Sequence, residues 1–306
     1  MGQHIFEKEW RALGTDIYVQ IVGSASQAAE TEITFLAVQK LYAAQERIFS
    51  RFDAESELSF LNAHLGEFCE ASVDMLAVGQ KSVQYFEESG GLFDPRILDN
   101  LEKIGYAKSF SENNFMDNSA AVVEGMSGQD LAQDLIVQGT QLKFLRRMDF
   151  SGIAKGYITD RVVEFLAEKG YHNFLVDSGG DMFAAGKNHL GDSWGISLEG
   201  RRDENEILLE LSAEAVATSG NVRRQWQRGG KKFHHLINPH NVTDFSFALQ
   251  SVTVVESTVE RADVMAKVLF LLGLEKGLKL AEEKRMRTIF LQPDGEIIKT
   301  KYVQKI

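Results

Sequence analysis

The stretch Asp149-Phe-Ser-Gly-Ile-Ala-Lys-Gly-Tyr-Ile-Thr-Asp160 decides the fold prediction, because it places a carboxylate, a lysine and two glycines at the start of a helical pattern. After Lys155, apolar residues recur at helical spacing, and Gly170 is a suitable end for that helix. Phe174-Leu175-Val176 then predicts a buried strand, and the turn Ser178-Gly-Gly-Asp181 follows it. Helix starts and lysines both favour anions, so the segment is typical of a site for a phosphate-bearing ligand.

The same segment matches no standard nucleotide-binding motif. It contains neither Gly-x-Gly-x-x-Gly nor a Walker-type Gly-Lys-Ser/Thr. Taken alone, a structural turn with a solvated lysine explains it equally well. The functional interpretation therefore depends on other segments of the chain.

The composition is that of a folded protein with a sizeable core. The chain has 306 residues, 44% hydrophobic and 25% charged, which suits one large domain or two closely packed lobes. The net charge of −11 and the absence of a basic block argue against a nucleic acid as the partner. The single cysteine, Cys69, excludes an internal disulfide and any multi-cysteine metal site, and we expect it to be buried as a small hydrophobic residue.

No sequence feature indicates insertion into a membrane. No segment approaches the roughly 18 apolar residues of a membrane span. The N-terminus lacks the basic start and apolar run of a signal peptide. We therefore expect a cytoplasmic protein, although a chain trimmed of a leader would give the same pattern.

The periodicity predicts helices and strands mixed without regular alternation, which favours an α+β fold. Ser56 is expected to cap a short helix leading to Asn62, and 107–140 is expected to form surface loops and short strands. The predicted helices cover 26–49, 73–88, the segment after Lys155, and 261–281; the predicted strands cover 8–22, 142–149, 174–177, 194–199, 206–212 and 250–256.

Four further segments carry polar residues suited to a ligand site, and each also has a structural interpretation. An exposed Asp94 after a glycine pair is suited to accept a hydrogen bond from a ligand, or it serves turn chemistry before Pro95. Thr218-Ser219-Gly220 offers hydroxyls to a phosphate or sugar. Of His234 and His235, strand alternation turns one inward and one outward. Asp263 begins a buried helix, where its charge suits the helix dipole.

These segments, taken in order over essentially the whole chain, resemble the ApbE family of flavin transferases. The matching landmarks are Leu13-Gly-Thr15, Ser50–Leu58 with Asn62, Gly91–Pro95, Asp149–Asp160, Leu175–Asp181, Ala217–Gly220, His235–Pro239, Ser251–Val254 and Ala262-Asp263. The resemblance implies an ApbE-like α+β fold in which residues 1–306 form a single domain. It implies two interleaved lobes, with mixed and antiparallel sheets flanked by helices and a ligand cleft between the lobes.

The resemblance also implies FAD binding and Mg²⁺-dependent transfer of FMN from FAD to a threonine of an acceptor protein, with release of AMP. Some relatives instead hydrolyse FAD to FMN and AMP. His235, Asp263 and Lys267 then occupy catalytic positions, and Gly152 and Asp263 occupy metal-ligand positions. The positions of cofactor contacts are Leu13, Phe52, Phe93, Asp94, Asp149, Lys155, Thr218, Ser219 and Leu236.

The chain departs from the family pattern at three places. The usual Ala-Asp-Ala-x-Ala-Thr reads Ala262-Asp-Val-Met-Ala-Lys267, so a lysine replaces the threonine ligand of the metal. The usual His-Ile-Ile-Asp-Pro-x-Thr-Gly reads His235–Val242 with Asn238 for the acid, and Asp-Pro-Thr reads Asp94-Pro95-Arg96. Because Mg²⁺ needs oxygen ligands in near-octahedral geometry, we expect an altered metal site.

Three functions remain open from the sequence. The first is FAD:protein FMN transfer, at full or reduced rate or diverted to FAD hydrolysis. The second is storage or sensing of FAD by a non-catalytic protein of the same fold. The third is binding of another nucleotide-like ligand. Phe52 and Phe93 favour stacking on an aromatic ring system, but both residue types are equally typical of a core.

Overall fold

The structure is a computed structural model that describes residues 3–108, 128–198 and 208–303. The described strands are β1 (His4–Ala12), β2 (Thr15–Gly23), β3 (Cys69–Glu70), β4 (Leu135–Gln138), β5 (Gln141–Phe144), β6 (Phe174–Ser178), β7 (Met182–Ala185), β8 (Trp194–Ser197), β9 (Leu208–Leu211), β10 (Glu214–Gly220), β11 (Gln225–Arg228), β12 (Lys231–His234), β13 (Ser251–Glu256), β14 (Arg287–Leu291) and β15 (Ile297–Lys299). The described α-helices are α1 (Ala28–Phe49), α2 (Glu57–Ala63), α3 (Val73–Glu88), α4 (Leu98–Lys103), α5 (Leu131–Asp134), α6 (Ala154–Glu168) and α7 (Val259–Glu283). Short 3₁₀ turns cover Ala25–Gln27 and Pro95–Ile97.

The chain divides into two compact units, each built from separate stretches of sequence. The first unit comprises Met1–Gln45, Lys155–Ser219 and Leu249–Ile306, and the second comprises Glu46–Ala154 and Gly220–Ala248. The mixture of helices with largely antiparallel sheets confirms the predicted α+β class.

The first unit is organised around an eight-stranded sheet in the order β1-β2-β6-β7-β10-β13-β14-β15. Alternate residues of β2, such as Ile17, Val19 and Ile21, are fully buried, as the two-residue period of a strand requires. A cluster that includes Trp194 and Leu211 packs with buried residues of the sheet. The β8–β9 hairpin adds a separate two-stranded sheet.

The second unit contains the three-stranded sheet β3-β5-β4 and the β11–β12 hairpin. Ser56 accepts a hydrogen bond from Ser59 N at 3.0 Å, so it caps α2 as predicted. A buried cluster that includes Ile104, Trp226 and Phe233 packs the hairpin against the segment after α4. Cys69 is only half-buried on the two-residue strand β3, so the expectation of a fully buried cysteine is wrong.

Most long elements lie where the sequence predicted them. Helix α3 has the predicted bounds, and α7 extends two residues beyond each end of the prediction. Gly273 (φ 74°) interrupts the helical backbone inside α7. Residues 109–127, part of the predicted loop region, lie outside the described residues, as do 199 and 206–207 of two predicted strands.

Two strand predictions are wrong. The predicted strand 8–22 is a hairpin, β1 and β2, joined by a two-residue turn at Leu13 (φ 54°) and Gly14 (φ 70°). Such turns require positive φ at both positions and usually contain Asn-Gly, so leucine gave no indication of one. The predicted strand 142–149 ends at Phe144. Residues 145–149 are not in a strand and belong to the connection that leads to α6.

Candidate functional site

In the first unit, the Leu13 turn and the Ser178–Asp181 turn lie together. Strand β2 pairs with β6, which places Ile17 opposite Ser178. A Cβ atom on Gly179 (φ 67°) would lie 2.0 Å from Thr15 Oγ1, so only glycine fits at this approach. Leu13 holds a left-handed backbone conformation, which is uncommon for a residue with a branched apolar side chain. Two of the landmark segments therefore form one surface.

Lys155 joins the start of α6 to that surface. Its Nζ lies 2.5 Å from Asp181 Oδ2; the lysine side chain is 25% exposed, whereas Asp181 is buried. The lysine is therefore held by an ion pair rather than simply solvated. A partly exposed ammonium in the first turn of a helix remains suited to attract a phosphate group.

A chain of buried hydroxyls lies behind the same turn. Tyr42 Oη and Thr159 Oγ1 each lie 2.7 Å from Ser178 Oγ, and Thr159 donates to the Lys155 carbonyl at 2.8 Å. Burial raises the pKa of Tyr42 above its ordinary value, while the hydrogen bonds from Ser178 and Thr159 lower it. The phenol thus stays neutral, and the chain fixes the start of α6 against the end of β6.

The first turn of α7 is capped from two directions. Thr258 Oγ1 accepts from Arg261 N at 3.3 Å, and the carboxylate of Asp160 accepts from Val259 N at 2.8 Å and Glu260 N at 2.9 Å. Burial raises the pKa of Asp160 to about 6, although these two backbone hydrogen bonds lower it; the nearby carboxylates of Glu260 and Glu164 raise it further.

The remaining predicted residues of the first unit lie on α7 and β10. Asp263 is buried one helical turn after Val259, and Lys267 is half-buried one turn further along the same face. Thr218 Oγ1 contacts Thr253 Oγ1 at 2.9 Å, and Ser219 is buried. Both hydroxyl residues lie within the last three positions of β10.

In the second unit, Asp149 is buried beside Arg51. Asp149 Oδ2 lies 3.2 Å from Arg51 Nε, and Oδ1 accepts from Ser151 N at 2.7 Å. The Arg51 guanidinium lies over the rings of Phe52 at 4.1 Å and Tyr106 at 4.6 Å and donates to the Tyr106 carbonyl at 3.0 Å. The carboxylate predicted to contact the ligand is thus engaged within the protein.

Two further landmark segments meet at Asp149. Its backbone N donates to the Pro95 carbonyl at 2.7 Å. The preceding residue, Met148, is held by the amide of Asn62, which accepts from Met148 N at 2.8 Å and donates to its carbonyl at 2.9 Å. Segments that lie around residues 51, 62, 95 and 149 in the sequence therefore converge in this unit.

The prediction of an exposed Asp94 is wrong. Asp94 is 5% exposed; it accepts from Arg96 N at 2.9 Å and from the Arg96 guanidinium at 2.7–3.1 Å. The other side of the guanidinium contacts Asp134 at 2.6 Å. Burial lowers the pKa of Arg96, but the hydrogen bonds to Asp94 and Asp134 outweigh it and raise that pKa above its usual value. The turn interpretation of Asp94 is confirmed, extended by a buried ion triad.

The two predicted phenylalanines differ in their surroundings. Phe93 is buried and contacts Tyr85 edge to face, with ring centroids 6.0 Å apart. Phe52 is 44% exposed, so it is not a core residue, and one face of its ring carries the Arg51 guanidinium. Phe52 is therefore the better placed of the two to stack on a flat ligand ring.

Of the two histidines, one is buried and the other half-buried as predicted, but strand alternation is not the reason: β12 ends at His234, and its last two residues, Phe233 and His234, are both buried. His234 is buried, and its Nε2 contacts the Ser246 carbonyl at 3.1 Å; burial lowers the pKa of His234, so it is held neutral. His235 is half-buried and Leu236 is buried. His235 is thus the histidine with access to solvent or ligand.

The side chains on α7 do not fit the magnesium ion that the resemblance implies. Lys267 carries three N–H donors and no acceptor at the position where a metal site needs oxygen. Within residues 3–108, 128–198 and 208–303, no group of three His, Cys, Asp or Glu side chains is arranged to hold a metal ion. Asp263 and Gly152 therefore stay predicted ligands only.

Fold and motifs together define a flavin-transferase type of protein, and the chain belongs to the ApbE family, whose sequence model matches residues 13–290. A Haemophilus influenzae relative named FAD:protein FMN transferase is 27% identical, over 90% of this chain and 83% of its own. A Treponema pallidum relative of the same name is 26% identical, over 93% and 84%.

A solved structure shows the same fold. The Pseudomonas stutzeri flavinyl transferase ApbE, in its apo form, superimposes with a TM-score of 0.82 at 23% identity, over 99% of this chain and 97% of the other. Among the residues that the structure describes, no helix combines the length and apolar character needed to cross a membrane.

The sequence indicated Asp149, Lys155 and Asp263 as site residues but did not indicate which charged residues contact these segments. Arg51, Asp160 and Asp181 lie inside the quoted landmark segments, yet their partners are far away in sequence.

Proposed function

We propose that this protein binds FAD and transfers its FMN half to a threonine hydroxyl of an acceptor protein, with release of AMP. Family membership supports flavin transfer in general. The observation that carries the proposal is the Lys155–Asp181 ion pair, which joins the start of α6 to the turn beside Leu13. These are the segments through which the sequence resembles the family, and they form a positively charged helix start next to a glycine turn.

In the proposed reaction, the threonine oxygen attacks the phosphorus of the FMN half of FAD. The bond from that phosphorus to the bridging oxygen breaks, and AMP leaves with the electron pair. His235, the half-buried histidine, accepts the hydroxyl proton as a general base. Within the first unit, Lys155 and the start of α6 are suited to attract the diphosphate; within the second unit, Phe52, which is 44% exposed, is suited to stack on a flat ligand ring.

We further propose that the metal dependence of this chain differs from the family pattern. Lys267 places a positive charge four residues after Asp263, where the pattern has a hydroxyl. An ammonium repels a divalent cation but still offers positive charge to a developing anion. Turnover with little dependence on Mg²⁺ is therefore expected.

The second candidate is a non-catalytic FAD-binding protein of the same fold. The lysine at position 267 also favours this candidate. A lysine that only fills the metal position would leave FAD binding intact but prevent catalysis. Measurement of turnover distinguishes the two candidates.

A cytoplasmic location, which no structural observation addresses, stays a prediction.

The test is a calorimetric titration of FAD into metal-stripped protein, repeated with excess Mg²⁺ while AMP release is measured. Binding with AMP release supports the transferase, whereas binding without AMP under both conditions supports the second candidate. Lys155→Met is expected to weaken FAD binding at least tenfold. Lys169→Met, at an exposed position directly after the last residue of α6, is the matched control and should bind FAD as the parent does. Absence of any FAD binding would refute both candidates.

A further inference from the structure

Two residues of α6, Gly156 and Asp160, contact the first turn of α7. They are four residues apart and so lie on one face of α6. Asp160 accepts from Val259 N and Glu260 N at 2.8 and 2.9 Å, one hydrogen bond to each carboxylate oxygen. These amides belong to the first two helical residues, which have no partner within the helix. The acceptor of both hydrogen bonds therefore belongs to α6, about a hundred residues earlier in the chain.

At Gly156 the two helices touch through their backbones. A Cβ atom there would lie 2.5 Å from Glu260 Cα, 2.7 Å from Glu260 N and 2.8 Å from the Val259 carbonyl oxygen. Since all three are backbone atoms, no side-chain rotation relieves the contact. Any residue larger than glycine must push the first turn of α7 away from α6.

This contact lies between two residues of the proposed site. Lys155 directly precedes Gly156, and Asp263 follows Val259 by one turn of α7. The distance between the Lys155 and Asp263 backbones is therefore set by how closely the two helices meet. A loosened first turn of α7 shifts Asp263 while leaving Lys155 on Asp181.

We propose that Asp160 is a positioning residue: together with Gly156 it clamps the start of α7 to α6 and so fixes Asp263 relative to Lys155. The inference rests on the proposed flavin transfer for its effect on catalysis, but the clamp itself is a property of the fold. Asp160 contacts backbone amides of α7, so it acts through Asp263 rather than on the substrate.

Hydrogen exchange tests the clamp without any activity. In Asp160→Ala, the amides of residues 259–260 are expected to exchange at least tenfold faster than in the parent. Glu168→Gln is the matched control: it removes an exposed carboxylate at the last residue of α6, two turns beyond Asp160, and should leave that exchange unchanged. Parent-like exchange in Asp160→Ala overturns the proposal.

Kinetics then test the positioning. In Asp160→Ala and Gly156→Ala, the kcat for AMP release is expected to fall at least tenfold, since a displacement of about 1 Å near reacting groups costs up to about a hundredfold. The Kd for FAD should change by less than about threefold. Asp160→Asn, which keeps one acceptor oxygen, should lie between the parent and Asp160→Ala.

The outcomes separate the clamp from the proposed function. Unchanged kcat in both alanine variants, or losses of FAD affinity that parallel losses of Tm, overturn the positioning role. A parent protein that releases no AMP overturns the proposed function only, and the exchange rates then decide whether the clamp exists. Gly156→Ala retains the Asp160 carboxylate, so the test stands even where Asp160→Ala fails to fold.

Discussion

Replacing Arg96 by methionine is expected to destabilise the second unit strongly. Arg96 is the cation of a buried triad, with hydrogen bonds of 2.6–3.1 Å to the carboxylates of Asp94 and Asp134. Its removal leaves Asp94 without this cation and Asp134 with only the more distant Arg146 Nε at 3.5 Å. Breaking a buried pair in this way typically costs about 3–5 kcal/mol. Methionine is a suitable replacement because it fills the space of the arginine stem without charge.

Urea unfolding of the parent and of Arg96→Met measures the loss. With a slope of roughly 3 kcal/mol per molar urea, a loss of 3–5 kcal/mol moves the midpoint down by about 1–1.7 M. The fluorescence of Trp226, buried in the same unit, reports the transition. Adding Asp134→Asn should restore part of the stability at pH 8.

Arg147→Met is the matched control for this prediction. Arg147 contacts Asp99 and Glu102 at 2.7–2.9 Å, which are distances like those of the triad, but these side chains are 33–56% exposed. Exposed pairs of this kind contribute about 0–1 kcal/mol. Equal midpoint shifts for Arg96→Met and Arg147→Met would refute the reasoning, because burial would then make no difference.

Three further predictions concern the proposed site. Lys267→Thr should raise Mg²⁺ affinity and AMP release, both measured with FAD present; a variant that binds Mg²⁺ no better than the parent contradicts metal replacement. Asp149→Asn should weaken FAD binding measured well below its Tm, whereas unchanged affinity with a lowered Tm would assign Asp149 to its contact with Arg51 alone. The raised pKa of Asp160, about 6 against an ordinary 3.8, means that the folded state binds its proton more tightly. Its contribution to stability is thus fully present below about pH 4 and lost as pH rises through 6, by up to about 3 kcal/mol. Relative to Asp160→Asn, the parent should lose stability between pH 4.5 and 7.5, and a constant difference in urea midpoint would contradict this.

Local patterns were sufficient for the long helices and for the class of fold. Helix α3 ends shortly before the glycine pair at 90–91, and α6 ends before Gly170, so periodicity and the glycines that follow predicted both helices. The turn at Leu13 was not predictable in this way, because a leucine at positive φ is tolerated only through its surroundings. The site residues drawn from the resemblance stay predictions, although the structure describes where each one lies.

The sequence by itself determined which segments matter, because their residue types recur in the order that defines the family. Only the tertiary structure decided what those residues contact: Asp94 is engaged by Arg96, Asp149 by Arg51, and Asp160 by the backbone of α7. The physical reason is that the residue type does not reveal whether a charged side chain is surrounded by water or paired within the protein. Its partner comes from a distant part of the chain, and the cost of burying charge makes that partner decisive.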